Sequence, residues 1–456
     1  MIPSQKEKIK IFRKKKNKII IIQKKHQIMK LKSLFLVGIA AFAMTSCSNE
    51  VEGIDNSDNG TKDAIMQFGI SFANSSNIGE RDATAGGEDK GTASEQNFSD
   101  ATIVIEQNGK KNIVNVLKND FESQTSTTTT ILWLKEKIAV NPGAANVWVF
   151  LNASSALKTA LATPNADYKA LKETASFTGN IKALEAEAGI AEENHFLMSN
   201  ASGDAKEAVF TANITNPLTV DVSRVASKLE ETTLLNNSYS VTDDAENLAN
   251  VELTVKLTDF AYAGLQQEVS VLKGGTVTSN LFAPYNTTAV DGFIFQKFAA
   301  QMSNDVKTGS VNNYCMENLT GTSNETYTNV IYKGQISVDG ATGTLYITSD
   351  NKAFKSVKAM KEAGYNFEGL TEETTIEDCW NNYALRKYDG GVCYYVAPIE
   401  TANTGKQIVR NNIYRLNVKS IKGIGSVLPK EFSDPTLLDL TVGIQPWSVN
   451  ENAFEL

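Results

Sequence analysis

The chain of 456 residues holds few side chains placed for chemistry. Past Met29 there is one histidine, His195 in the run NHFLMSN. A zinc site of the HExxH kind needs two histidines one turn apart, so that chemistry is excluded there. A Ser-His-Asp triad would have to form around His195, and no GxSxG elbow accompanies it. His195 is therefore expected to pack at a strand end. The run GGEDKGT from Gly86 to Thr92 approaches the phosphate-loop pattern GxxxxGK[ST]. It has Thr92 where lysine must reach the phosphates, and no apolar strand precedes it. The run DNSDNG from Asp55 opens like a calcium loop, but its twelfth position is Met66, where a bidentate glutamate is required. No pair of carboxylates stands out among the many acids. The expectation is a protein that is not an enzyme and uses no metal or cofactor.

Cysteine chemistry is more informative. Of four cysteines, Cys47 stands directly behind an apolar run, Leu34–Met44, preceded by Lys30 and Lys32. Eleven residues are too few to span a bilayer, which takes about 20. Charge, then apolar run, then small residues is the order of a secretory signal. Residues 1–46 read as that signal, with translation expected to start at Met29. "AMTSC" resembles a bacterial lipobox, which would make Cys47 a lipidated N-terminus. A structural cysteine that happens to follow a signal is the other reading. Multiple acyl chains, at about 0.8 kcal/mol per buried CH₂, hold a protein on a membrane. Cys315, Cys379 and Cys393 are odd in number. Cys379 and Cys393 are near enough in sequence to bridge in an oxidising compartment, and three free buried thiols fit equally well.

Charge divides the chain. Residues 1–46 hold twelve of the 44 Lys/Arg and one of the 52 Asp/Glu, leaving 32 bases against 51 acids, a net −19, for the rest. Nucleic acid needs a basic face, so it is not an expected partner. Residues 47–63 read as a flexible, acidic tether.

The elements that follow are short and alternating. In AIMQFGISFA (Ala64–Ala73), Met66, Phe68, Ile70 and Phe72 share one face, the mark of a half-buried strand. Residues 74–97 hold one large apolar residue, Ile78, and read as an exposed loop open to proteases. Asn108-Gly109 between two apolar runs predicts a hairpin. ANVWVFLNAS predicts a buried strand with Trp148 in the core, and LTVDVSRVASKLEET predicts a single alternating segment. Helical patches are expected at ASSALKTALAT, NIKALEAEAG and KAFKSVKAMKEAG. Further strands are expected at NVELTVKLTDF, KGQISVDGATGTLYITS, GVCYYVAPI and NIYRLNVKSI. Many short strands with turn residues between them indicate β-sandwiches. The polar stretch Asn236–Asn247 suggests a boundary, giving domains at 64–235 and 236–431. The end of the chain alternates again: Leu438, Leu440, Val442, Ile444, then Trp447 and Val449, then Phe454 and Leu456. Leu438–Ile444 reads either as a strand completing its own sandwich or as something offered to a neighbour.

Several pieces, in this order, resemble the type V pilus subunits, or fimbrilins, of Bacteroidales. The most specific is IVRNNIYRLNVKSIKGIG (Ile408–Gly425), similar to a Val-Arg-Asn…Tyr strand near the family's C-terminus. VDVSRVASKLE (Val220–Glu230), FLMSN (Phe196–Asn200), QPW (Gln445–Trp447) and the lipobox also fit. The acidic, Ser/Asn-rich stretch behind Cys47 resembles surface-export tags of Bacteroidales lipoproteins. The resemblance implies two transthyretin-like β-sandwiches with a few short helices and an extended C-terminal strand. It implies a lipoprotein carried to the outer membrane and a cell-surface fimbrium that supports adhesion. It implies cleavage by an Arg-specific surface protease, which would fall after Arg81, the only arginine between the signal and Arg224; Lys90 would serve a protease of lysine specificity. The strand 64–73 would then leave, and residues 432–456 of another copy would replace it. Leu440, Val442, Ile444, Trp447, Val449, Phe454 and Leu456 would be the donor side chains. Other copies of the chain and anchor and tip subunits would be its partners, and a stalk position is favoured. The competing expectation is a monomeric surface lipoprotein that binds a glycan or host ligand. Exposed aromatic platforms would support it, with Trp133, Trp148, Trp380 and Trp447 as candidates. A secreted hydrolase has no motif behind it.

Overall fold

The computed structural model describes residues 62–72, 95, 97–125, 130–174, 190–192, 195–235, 237–241, 252–278, 281–282, 293–299, 311–429 and 438–446. The expected signal, Cys47, Arg81, Lys90, the 180–189 helix, Trp447, Val449, Phe454 and Leu456 lie outside the described residues.

The chain is mainly β, with three α-helices among the described residues. Residues up to Arg224 build a ten-stranded sheet. Its strands are β1 (Ala64–Phe72), β2 (Asp100–Gln107), β3 (Lys110–Leu117), β4 (Phe121–Thr125), β5 (Thr130–Leu134), β6 (Ile138–Val140), β7 (Gly143–Leu151), β8 (Met198–Asn200), β9 (Lys206–Phe210) and β10 (Thr215–Arg224). The order is β3-β2-β7-β8-β10-β1-β5-β4, with β9 beside β7 and β6 beside β1. The predicted hairpin is present: Asn108 and Gly109 both have positive φ, 50° and 72°, joining β2 to β3. Such a turn matches the right-handed twist of the strands it joins.

The segment expected as one strand is broken at Val225. Beyond it, β11 (Ala226–Glu231) joins a different sheet, between β13 (Val311–Met316) and β16 (Asn412–Ile421), with β17 (Leu438–Pro446) at its edge. The sequence carried a signal of this break that the single-segment reading passed over: buried Val222 and Val225 are three residues apart and buried Ala226 follows directly, which interrupts the period of two. A six-stranded sheet is centred on β12 (Leu253–Ala263) and β14 (Asn329–Val338), with β15 (Val392–Pro398) paired to β14. One contiguous apolar cluster draws on all three sheets, including Phe68, Val220, Val255, Tyr332 and Leu416.

Helix α1 (Ser155–Ala162) begins where expected, because the Ser154 hydroxyl accepts from the Leu157 amide at 2.9 Å. The third predicted helix is shorter than its pattern: α2 covers only Val357–Glu362, and Ala353–Phe354 form a short strand. Ser356 caps α2 and so fixes its start inside the apolar pattern. Helix α3 (Ile376–Tyr383) was not foreseen. It packs with α2 and a three-stranded sheet around its own small core of Tyr346, Val357, Met360, Leu370, Cys379 and Leu385.

Candidate functional site

The first strand occupies the middle of the ten-stranded sheet. β1 runs parallel to β10, from Ile65 opposite Thr215 to Phe72 opposite Val222. On its other side it runs antiparallel to β5 and β6, with Gly69 opposite Trp133 and Met66 opposite Ile138. Met66, Phe68 and Ile70 are fully buried and Phe72 nearly so. At about 1.5–3 kcal/mol for each large apolar side chain, these four contribute on the order of 6–12 kcal/mol as an upper bound. The outward face carries exposed Ile65, then Gln67, Gly69 and Ser71, and is partly covered. The Gln67 amide donates to the Leu134 carbonyl at 2.8 Å, and Ser71 donates to the Asp221 carboxylate. The Asn216 amide donates to the Ile65 carbonyl at 3.2 Å. Gly69 lies directly under the side chains of Ile131 and Trp133.

The far end of the expected loop is fixed as well. Phe98 stacks at an angle between Phe72 and Phe121, with centroids 6.5 and 5.9 Å away. Glu95 is 1% exposed. Its carboxylate receives Lys228 Nζ at 3.0 Å and the Tyr314 hydroxyl at 2.5 Å. Its carbonyl receives Arg224 Nε and Nη2 at 3.0 and 2.8 Å. Arg224 is fully buried, and burial pulls its guanidinium down to about 10. Glu230 adds ion pairs to Lys228 at 3.7 Å and to Arg415. Glu95 thus departs from the exposed loop expected over 74–97, and its network ties that end of the segment to β10, β11, β13 and β16.

The C-terminal strand lies on an edge. β17 pairs antiparallel with β16 from Leu438 opposite Ile421 to Pro446 opposite Asn412. Leu438 and Ile444 are buried; Leu440 and Val442 are half-buried against the core. Of the two readings left open for Leu438–Ile444, the strand in this conformation completes the chain's own sheet.

The remaining candidates do not converge. His195 sits half-buried on a two-residue strand opposite Glu192. Cys315, Cys379 and Cys393 are free and buried, which resolves the disulfide alternative against a bridge. Burial raises all three thiols, Cys393 to about 12, so they are held unreactive. Among the described residues no group of His, Cys, Asp or Glu is arranged to hold a metal ion, and no helix is long and apolar enough to cross a membrane. Trp148 is half-buried and meets the Tyr168 ring edge-on at 5.3 Å. Trp133 covers Gly69, and Trp380 on α3 is exposed. Sequence reasoning missed Gly69, Glu95 and Arg224. The first carried a signal, a glycine inside an apolar strand, which marks close approach of another group.

These features define a class: a mainly β chain whose first described strand is inserted inside a sheet and whose last described strand lines an edge. Residues 386–453 match the family model of the major fimbrial subunit protein type IV, fimbrillin, C-terminal. The matched stretch contains Ile408–Gly425 and Gln445–Trp447, two of the pieces that carried the resemblance to type V pilus subunits. No curated protein matches the chain. Among solved structures it is similar to a fimbrilin (FimA) from Porphyromonas gingivalis W83, at 14% identity and TM-score 0.48, over 85% of this chain and 99% of that one. It is similar to a candidate cell adhesion protein from Parabacteroides distasonis, at 14% identity and TM-score 0.48, over 84% and 99% of the two chains. It is also similar to the tip fimbrial protein Mfa3 of Porphyromonas gingivalis, at 10% identity and TM-score 0.37, over 84% and 100%.

Proposed function

We propose that this chain is a stalk subunit of a surface fimbria, delivered to the outer membrane as a lipoprotein through Cys47. It matures when an Arg-specific surface protease cuts after Arg81, and it polymerises when a neighbour's C-terminal strand takes the seat of β1. A two-sandwich division near Val225, where the chain passes from one sheet to the next, rather than at the expected 235/236, and the role in adhesion belong to the same reading.

One observation carries it: β1 is both the first strand among the described residues and an inner strand of its sheet. Its loss would expose the ladder edges of β10 and β5 and an apolar floor, and open strand edges recruit other strands. While the 74–97 loop is intact, β1 is present at a high effective concentration and outcompetes an incoming segment. Cleavage ends that advantage and needs no nucleotide or cofactor.

The purified precursor, treated with an Arg-specific protease and run on an unheated denaturing gel, should give a ladder of oligomers. Arg81→Ala should abolish both cut and ladder. Removing 447–456 tests whether donor side chains lie beyond Pro446: the cut should persist and the ladder should fall. A clean nicked monomer from the wild-type chain would overturn the reading and favour a monomeric binder.

A further inference from the structure

The seat of β1 carries a steric condition at one position. Gly69 faces away from the core toward β5. A Cβ placed on it would lie 2.8 Å from Ile131 Cγ2 and 2.8 and 2.9 Å from Trp133 Cε3 and Cζ3. Close-packed side chains do not yield that much room without displacement. The indole of Trp133 is set directly opposite Gly69 by strand pairing, so it cannot simply swing aside as a lysine tip would. A strand that replaces β1 therefore needs a glycine at this point.

Between Leu438 and Leu456 there is one glycine, Gly443. It stands between Val442 and Ile444, as Gly69 stands between Phe68 and Ile70. Resting on the exchange reading above, we infer that the tail of a second copy enters the seat in a single register, with Gly443 in the place of Gly69. Leu440, Val442 and Ile444 take the inward places of Met66, Phe68 and Ile70, and Thr441 takes the outward place of Gln67. Period-two alternation makes this all or none, since a shift of one residue would turn every apolar side chain outward.

Pro446 sets the direction. Proline brings no N–H to a ladder and is tolerated only where none is needed. A tail running in the same sense as β1 puts Pro446 at the place of Phe72, the last residue of the strand. The opposite sense puts it at the place of Met66, between Asn216 of β10 and Ile138 of β6. The donor thus runs parallel to β10. The part of the donor that fills the place of β1 ends at Pro446, because Trp447 follows Ile444 by three residues and breaks the alternation; the donor side chains of 447–456 act beyond that place. It follows that β17 leaves β16, giving up an edge position with one partner for a central position with two.

The test compares tails in the full-length protein. Gly443 is half-buried on an edge strand, so its variants are expected to fold with the wild-type melting temperature. After Arg-specific cleavage, Gly443→Ala should weaken the oligomer ladder and Gly443→Val should abolish it. Register is read independently by cysteine pairing, because Phe68 lies opposite Leu218. Cleaved Val442→Cys protein mixed with cleaved Leu218→Cys protein should give disulfide-linked dimers under mild oxidation. Wild-type ladders matched by Gly443→Val, or cross-links that prefer Val220→Cys to Leu218→Cys, would overturn the register alone. Absence of any wild-type ladder would overturn the exchange reading and the register together.

Discussion

Two buried carboxylates, Glu95 and Glu231, are held in opposite ways. Glu95 faces Lys228 and the Tyr314 hydroxyl, all but closed off from solvent. Removing one partner of such a pair leaves the other charge buried and uncompensated, which costs about 3–5 kcal/mol. Glu95→Ala should lower unfolding stability by that amount in a urea titration, while Glu325→Ala, a control on an exposed loop, should leave it unchanged. A loss under 1 kcal/mol would mean the network does not clamp the loop end. Glu231 is buried beside Tyr332, whose hydroxyl donates to it at 2.8 Å, and accepts from the Thr233 amide at 2.9 Å. Burial dominates and pushes its carboxyl up to about 7. The folded state therefore holds a proton that the unfolded state has released, between the ordinary glutamate value of about 4.3 and about 7. Stability attributable to this group is complete below that window and falls as pH rises through it. Glu231→Gln should flatten the melting temperature against pH across the same range, and an unchanged slope would assign the dependence elsewhere. Neither carboxylate was legible in the sequence. Their partners lie up to 219 residues away, and local pattern says nothing about them.

β1 shows what a local pattern can and cannot reveal. Its alternation was readable because burial on one face follows from the period of two, and Met66, Phe68, Ile70 and Phe72 are indeed the inward residues. Its parallel pairing to β10 was not, because the partner comes about 150 residues later and parallel neighbours need long connections. The Asn108-Gly109 hairpin was legible for the converse reason: all of its information lies within a few residues. Helix α3 carried a local signal that went unread. Thr375 accepts from the Asp378 amide at 3.0 Å, the T-x-x-D start of a capped helix. Its eight residues are too few for periodicity to register. For β1 the consequence is testable. Phe68→Ala removes a fully buried ring and should cost the seated strand about 3–5 kcal/mol. Hydrogen exchange of β1 amides in the precursor should speed up accordingly, ahead of global unfolding. Exchange equal to wild type would show that the apolar face is not what holds β1 in place.

At the scale of the molecule, the direction inferred for the donor places its first residue, Leu438, at the Ala64 end of the seat. The body of the copy that supplies it must then lie beyond that end. Three apolar side chains are exposed in this region: Ile65, Val209 and Ile214. Ile65 and Ile214 are joined by a backbone bond, amide to carbonyl, at 3.4 Å. Val209 pairs with Ala144 on β7, which puts it on the same outward face of the sheet as Ile65. Exposed single hydrophobics are ordinary, but three at the one place where a neighbour is required are not scattered. Covering two of them on assembly would contribute on the order of 1–3 kcal/mol, about tenfold in the concentration needed to polymerise. Val209→Lys combined with Ile214→Lys should raise that critical concentration about tenfold in sedimentation of the cleaved protein, with the precursor melting as wild type does. The same substitution pattern at Leu117, exposed on the edge strand β3 away from the seat, should have no such effect. If the Leu117 variant is the one that blocks assembly, the neighbour approaches from the other side and the donor runs the opposite way.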